Sequence, residues 1–191
     1  MTICCDVCGC AVARQSPTTL DELLVVVPGL RKLRSLDAAM LRVLLDRRRT
    51  QCTWCGQPVP RGRRTWCSDS CVSAFRARCD TAAQATLVLN RDRGICADCG
   101  RDTIAAAREA EAAWRQSPHY MAYRNWDQRR ALFAQFGYAR GRWREVDHVV
   151  PVIEGGGLMG PDNLRLLCGA CHAQHTRALR KRIAQPGAAS G

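Results

Sequence analysis

Eight of the chain's thirteen cysteines fall into four short pairs, and no other feature limits the fold so tightly. Cys52-x-x-Cys55 is followed by Cys67-x-x-x-Cys71, and Cys96-x-x-Cys99 by Cys168-x-x-Cys171. Such spacings let two thiolates converge on one ion, and two pairs complete a tetrahedral Cys4 site. The opening "MTICCDVCGC" has neither the basic start nor the apolar stretch of a secretory leader. The longest apolar run, Leu23 to Val27, is too short to span a bilayer. In an intracellular, cytoplasmic chain, paired cysteines read as zinc ligands before disulfides. Two structural zinc ions are therefore expected, one on Cys52, Cys55, Cys67 and Cys71 and one on Cys96, Cys99, Cys168 and Cys171. The N-terminal Cys5, Cys8 and Cys10 have no partner pair; a third zinc, a redox-labile cluster and free thiols all remain open.

The pairs also divide the chain. Residues 1–16 form a Cys-rich cluster, 17–50 a helical segment, 51–80 an Arg-rich finger, 81–184 a larger domain, and 185–191 a tail of disorder-like composition. In the helical segment Pro28-Gly29 breaks any preceding helix. Ser35 reads as the N-cap of the next, with Leu36, Ala39, Met40, Val43 and Leu44 as one apolar stripe. In the larger domain an insertion of about 102–142 carries one helix over 105–116 and a second over Tyr123 to Phe136. Most of its aromatic residues pack those helices; one or two, such as Tyr120 or Trp126, are suited to stacking on a base.

The charge is +12, carried by 27 Arg and two Lys. Arginine's planar fork suits phosphate, which makes a polyanion the first partner to consider. From Met40 to Cys79 there are nine Arg against two Asp, a net +7, so the excess concentrates on the finger. Arg61, Arg63 and Arg64 lie in its hairpin, and Arg142, Arg144, Arg165, Arg177 and Arg180 lie in the second domain.

One stretch breaks the pattern of a buried strand. In "EVDHVVPVIEGGG", Glu145 to Gly157, β-branched residues predict a packed strand, yet Asp147 and His148 stand side by side. Neighbours on a strand face opposite ways, so one core cannot satisfy both. The three glycines after it let a loop turn tightly and a backbone approach closely. Asn163 follows in "GPDNLRLLCGACHAQHT", and His172 comes directly after the last knuckle cysteine. His175 shares a helix face with His172 and is either a second metal ligand or an exposed or phosphate-contacting residue.

With these residues the stretch resembles the HNH endonuclease family, in particular its members with paired C-x-x-C zinc sites. The resemblance covers roughly Arg91 to Arg182. It implies a small ββα-metal domain with a Cys4 zinc site; the Cys52–Cys71 finger more loosely resembles small treble-clef-like Cys4 modules, and with the helical segment before it the expected fold class is α+β. It further implies hydrolysis of phosphodiester bonds in DNA with one divalent ion, Mg2+, Mn2+, Ni2+ or Zn2+. His148 would be the general base, and Asp147 and His172 metal ligands. Asn163 would either bind the metal or orient His148. RNA remains an alternative substrate, since arginines that grip phosphate do not distinguish the sugars. The rival reading is a non-catalytic, zinc-dependent nucleic-acid-binding protein with a vestigial HNH core. A bacterial or phage source is the expectation that goes with the family.

Overall fold

Two turns with one hydrogen-bond pattern recur in the computed structural model, which describes residues 2–4, 11–13, 16–120 and 126–185. Cys5, Cys8 and Cys10, the beginning of the expected second insertion helix and the tail from 186 lie outside the described residues. In the first turn Cys52 N–H donates to the Gln57 carbonyl at 2.7 Å, and Gly56 N–H donates to the Cys52 carbonyl at 2.9 Å. In the second, Cys96 N–H donates to the Arg101 carbonyl and Gly100 N–H to the Cys96 carbonyl, both at 2.9 Å. Each C-x-x-C pair is thereby held in a closed loop.

The chain divides into two compact units, one of Met1–Ala83 with Val152–Gly160, the other of Gln84–Pro151 with Pro161–Gly191. The first unit begins with an antiparallel pair, β1 (Thr2–Cys4) and β2 (Ala11–Ala13). Helix α1 (Leu20–Val26) is capped by the Thr19 hydroxyl and stops ahead of Pro28, which opens a 3-10 turn through Lys32. Helix α2 (Ala38–Leu44) starts later than the sequence predicts: its N-cap is Asp37, whose carboxylate accepts from Met40 N–H, and not Ser35. The register of its buried face shifts with it. Leu36, Leu41 and Leu45 enter the core, whereas Met40 and Val43 of the expected stripe are exposed. Two turns of helix present too narrow a face to bury the whole predicted set. Helix α3 (Asp69–Cys79) is capped by Ser68 and contributes Phe75 and Cys79 to the same core.

The loop 152–160 belongs to this first unit. Gly157 N–H donates to the Arg31 carbonyl at 2.7 Å, and a Cβ on Gly157 would stand 1.9 Å from the Leu33 carbonyl oxygen. Only glycine permits that approach. Leu158 next to it is 1% exposed, and its carbonyl accepts from Arg78 Nε at 2.7 Å.

The second unit is mixed. Helix α4 (Thr81–Asp92) buries Val88 against Leu164 and Leu166, and helices α5 (Thr103–Gln116) and α6 (Trp126–Gln135) pack through Ala110, Trp114 and Phe133. An antiparallel hairpin follows, β3 (Arg144–His148) with β4 (Leu164–Cys168), in the register Val146↔Leu166, Asp147↔Arg165 and His148↔Leu164. The predicted strand is shorter than its β-branched run. It ends at His148, and Val149, Val150 and Ile153 are exposed. Proline at 151 lacks the N–H that a longer ladder would need. Helix α7 (Gly169–Ala184) follows β4 without a linker. A Cβ on Gly169 would meet the Arg142 carbonyl at 2.2 Å, so glycine sets how closely α7 begins against the segment before β3.

Candidate active site and zinc centres

The described residues contain two groups of convergent metal-binding side chains, Cys52, Cys55, Cys67, Cys71 and Cys96, Cys99, Cys168, Cys171. Within each group the ligand atoms lie within 4.8 Å of one another. Measured Sγ–Sγ separations are 3.4 Å for Cys55–Cys67, 3.5 Å for Cys67–Cys71 and 3.9 Å for Cys99–Cys168. A tetrahedron with Zn–S arms of about 2.3 Å has edges of about 3.8 Å, so both sets fit a zinc ion. All nine described cysteines outside β1 are free thiols.

The electrostatics point the same way. Burial pushes the Cys52 thiol up, but backbone N–H groups at Cys55, Cys67 and Trp54 outweigh it and bring it down to about 6. Cys96 is brought to about 7 in the same manner, by N–H groups at Cys168, Cys99 and Asp98 against the effect of burial. Their partners go the other way: burial and neighbouring sulfurs raise Cys71 to about 12 and raise Cys171. One sulfur per set accepts a negative charge readily. Four do so only around a cation.

The second Cys4 set fastens α7 to the hairpin. Cys168 is the N-cap of α7, its sulfur accepting from Cys171 N–H at 3.4 Å, which puts His172 in the first helical turn. Thr176 Oγ1 donates to the His172 carbonyl at 2.9 Å. From the other side, Ala97 N–H donates to Leu166 O at 2.8 Å, and Asp92 Oδ2 accepts from Leu166 N–H at 3.1 Å. Arg91 reaches the Pro161 and Leu164 carbonyls at 2.9 and 2.7 Å. The strand β4 is tied along its length to α4 and the knuckle.

Asp147 and His148 close β3. Asp147 pairs across the hairpin with Arg165, Oδ2 to Nη2 at 3.3 Å. Arg165 also meets Asp98 Oδ1 at 3.4 Å and His175 Nδ1 at 3.2 Å, while His175 Nε2 contacts Asp98 Oδ2. Both ring nitrogens of His175 are thus engaged. Asp98, inside the Cys96-x-x-Cys99 knuckle, was not singled out from sequence; its only signal is an acid placed between two zinc-spaced cysteines. Arg165, expected to grip phosphate, is held instead between two carboxylates. Arg61, Arg64, Arg144, Arg177 and Arg180 are exposed, and Arg63 and Arg142 are exposed with ion pairs to Asp69 and Glu145.

Just beyond His148 the chain is gripped by Asn163, which is buried. Its Oδ1 accepts from Val150 N–H at 2.8 Å and its Nδ2 donates to the Val150 carbonyl at 3.0 Å. Val149 N–H donates to the Asn163 carbonyl at 2.8 Å. The amide thus uses both ends on the backbone two residues past His148. Asn163→Ala is expected to lower unfolding stability by about 2 kcal/mol, read by urea denaturation. Asn163→Asp keeps the acceptor for Val150 N–H but sets a carboxylate oxygen against the Val150 carbonyl, so it should be destabilising as well.

Of the residues expected to hold a catalytic ion, Asp147 lies at the end of β3 and His172 in the first turn of α7. Among the described residues, neither Asp147 nor His172 falls in a group of three or more Cys, His, Asp or Glu side chains placed to hold a metal. A carboxylate and an imidazole fit a hard or borderline divalent ion that keeps waters and takes further oxygens from phosphate.

Among known proteins, the HNH endonuclease family model matches residues 139–178, which contain β3, Asn163, β4 and the start of α7. The DNA annealing helicase and endonuclease ZRANB3 of Mus musculus is 30% identical over 126 residues, 63% of this chain. Its Homo sapiens counterpart is 25% identical over 193 residues, 93% of this chain. The chain spans only 12% and 17% of the lengths of these two relatives. A crystal structure of the human ZRANB3 HNH domain is similar over 56% of this chain and 94% of that one, at 23% identity and a TM-score of 0.37. These relatives are mammalian and lend no support to a bacterial or phage source. No helix among the described residues is long and apolar enough to cross a membrane. With its helices, its two-stranded hairpin and its two cysteine sets that could bind zinc, the chain carries a domain of the HNH endonuclease family, matched over residues 139–178.

Proposed function

We propose that the chain is a metal-dependent DNA endonuclease with His148 as general base. The observation that carries this reading is the end of β3: Asp147 and His148 terminate a strand whose continuation is clasped by Asn163. Neutral His148 accepts a proton from water, which attacks the phosphorus; the bond to the 3′ oxygen breaks and that oxygen takes a proton from solvent water, giving a 3′-hydroxyl and a 5′-phosphate. A divalent ion held by Asp147 and His172 would supply positive charge for the scissile phosphate and the leaving oxygen. Asn163 acts as a positioning residue, fixing the backbone beyond His148 rather than donating to the ion. The exposed arginines of both units contribute affinity for the backbone without reading sequence. Arg165 braces Asp147 from across the hairpin.

The test is cleavage of supercoiled plasmid by the purified chain with Mg2+, Mn2+, Ni2+ or Zn2+ added in turn. Conversion to nicked or linear DNA with at least one of them is the expected result. The Asp147–Arg165 ion pair gives the alternative its one point of support, because there an arginine neutralises the carboxylate that should hold metal. Salt-dependent DNA binding without cutting under any metal would replace the enzyme by a non-catalytic zinc-dependent binding module.

A further inference from the structure

The α5–α6 insertion encloses more than a helix interface. A cavity of about 280 Å³ opens there, walled by Glu111, Trp126, Arg129, Arg130, Tyr138 and Trp143. Its floor is already filled by rings packed on one another. Phe133 lies 5.6 Å from Tyr138 and 5.0 Å from Trp143, and Tyr138 lies 5.0 Å from Trp143, centroid to centroid. Trp126, the first residue of α6, stands apart from that cluster. It is 64% exposed and makes no ring contact among the described residues. A single exposed apolar side chain is ordinary. An exposed indole at the lip of an aromatic cavity with a charged wall is not.

The wall is polar in a specific way. Arg129 Nη2 donates to Glu111 Oε1 at 2.6 Å, and its guanidinium lies 4.8 Å over the Phe133 ring. A carboxylate has about four acceptor sites, so this pair leaves Glu111 able to accept from a ligand. Arg130 adds positive charge at the cavity, and Arg108 and Arg115 line an adjoining cleft that shares Glu111. A flat stacking face, an acceptor at the edge and guanidinium groups around them match the three parts of a nucleotide: base face, base edge and phosphate.

The cavity is also continuous with the candidate active site along the chain. Trp143 directly precedes β3, whose last residue is His148. Five residues of extended chain cover about 16 Å, a distance that a few nucleotides of one strand can bridge. We propose that this cavity seats an unstacked nucleobase of the DNA strand being cut, a few nucleotides from the scissile phosphate, with Trp126 as the stacking surface. The proposal rests on the nuclease reading for its substrate. A base in the cavity has left its duplex partner, so the site favours single-stranded over fully paired DNA.

The experiment uses the whole chain without added catalytic metal, and a single-stranded oligonucleotide carrying 2-aminopurine, whose emission is quenched on stacking. Wild type should quench the probe on binding. Trp126→Ala should weaken single-strand binding by about 5- to 150-fold and abolish the quenching. Trp126→Phe should retain most of both, and affinity for blunt duplex should stay unchanged in all three. Unaltered single-strand binding by Trp126→Ala, or an equal loss in the Phe variant, overturns the proposal. Because Trp126 is exposed, neither substitution disturbs the core. Plasmid cleavage measured in parallel separates the two readings. Cutting by wild type with no effect of Trp126→Ala on binding removes the cavity proposal and leaves the nuclease. Trp126-dependent quenching without cutting keeps the nucleobase site and removes the nuclease.

Discussion

His148→Ala is expected to lower the rate of plasmid cleavage by about 10²- to 10⁴-fold, the usual contribution of a positioned general base, while DNA affinity stays close to wild type. The fold should tolerate the change. His148 pairs with Leu164 through the backbone of the hairpin, and that ladder does not depend on the imidazole. Asn163 holds the chain beyond it through Val150, again by backbone groups. The charge that attracts DNA resides on arginines that the substitution leaves in place. Measured together, gel-shift affinity across a salt series and the cleavage rate separate catalysis from binding. A variant that cuts at the wild-type rate removes His148 from the mechanism. Asp147→Asn is the informative companion, since it keeps the side chain's size but removes the charge that meets Arg165 and would meet the ion. Its loss should be relieved in part by raising the metal concentration, whereas that of His148→Ala should not.

What the sequence made legible follows the range of the interactions. Each cysteine pair is a local object: two cysteines three or four residues apart, with the Cys52 and Cys96 turns closed within six residues. The convergence of the pairs could therefore be read from spacing, even with the second set split by the whole hairpin and insertion. The close approach expected at the glycine run also occurs, at Gly157 against the backbone at Arg31 and Leu33. The strand end was not legible. β-branched residues from Val146 to Ile153 favour extension, but pairing stops where β4 begins and where Asn163 takes the Val150 backbone, an interaction thirteen residues away in sequence. The same limit hid the Asp98–Arg165–His175 network. Its three members come from a knuckle, a strand and a helix, and no period in the sequence connects them. Counting arginines located the positive charge but could not show which one faces carboxylates. In α2 the error was of register, since one capping choice, Asp37 over Ser35, decides which apolar residues turn inward.

Removal of metal from the Cys96, Cys99, Cys168, Cys171 set is expected to unfold the second unit. The reason is where these cysteines sit. Cys96, Cys168 and Cys171 are buried and, with Leu167, make up one of that unit's apolar clusters. The same set joins the knuckle to the start of α7, and hence places His172 beside the hairpin. Binding of structural zinc contributes about 10–16 kcal/mol to zinc-finger folding at neutral pH, comparable with the whole stability of a small domain, about 5–15 kcal/mol. Without the ion, four sulfurs must be packed together with all but the most favoured protonated, as the raised Cys168 and Cys171 thiols indicate. Cys96→Ser should therefore reduce bound zinc by one ion per chain, lower the melting temperature sharply and abolish cleavage. Cys52→Ser should also remove one ion, but its damage should be centred on the first unit, as hydrogen exchange would resolve. Wild-type protein bound to two ions assigns both to these sets, and a third ion would bring in Cys5, Cys8 and Cys10. Retention of the full zinc content and the native melting curve by Cys96→Ser would mean that the sulfur cluster is not a metal centre, and with it would go the argument that zinc holds His172 in place.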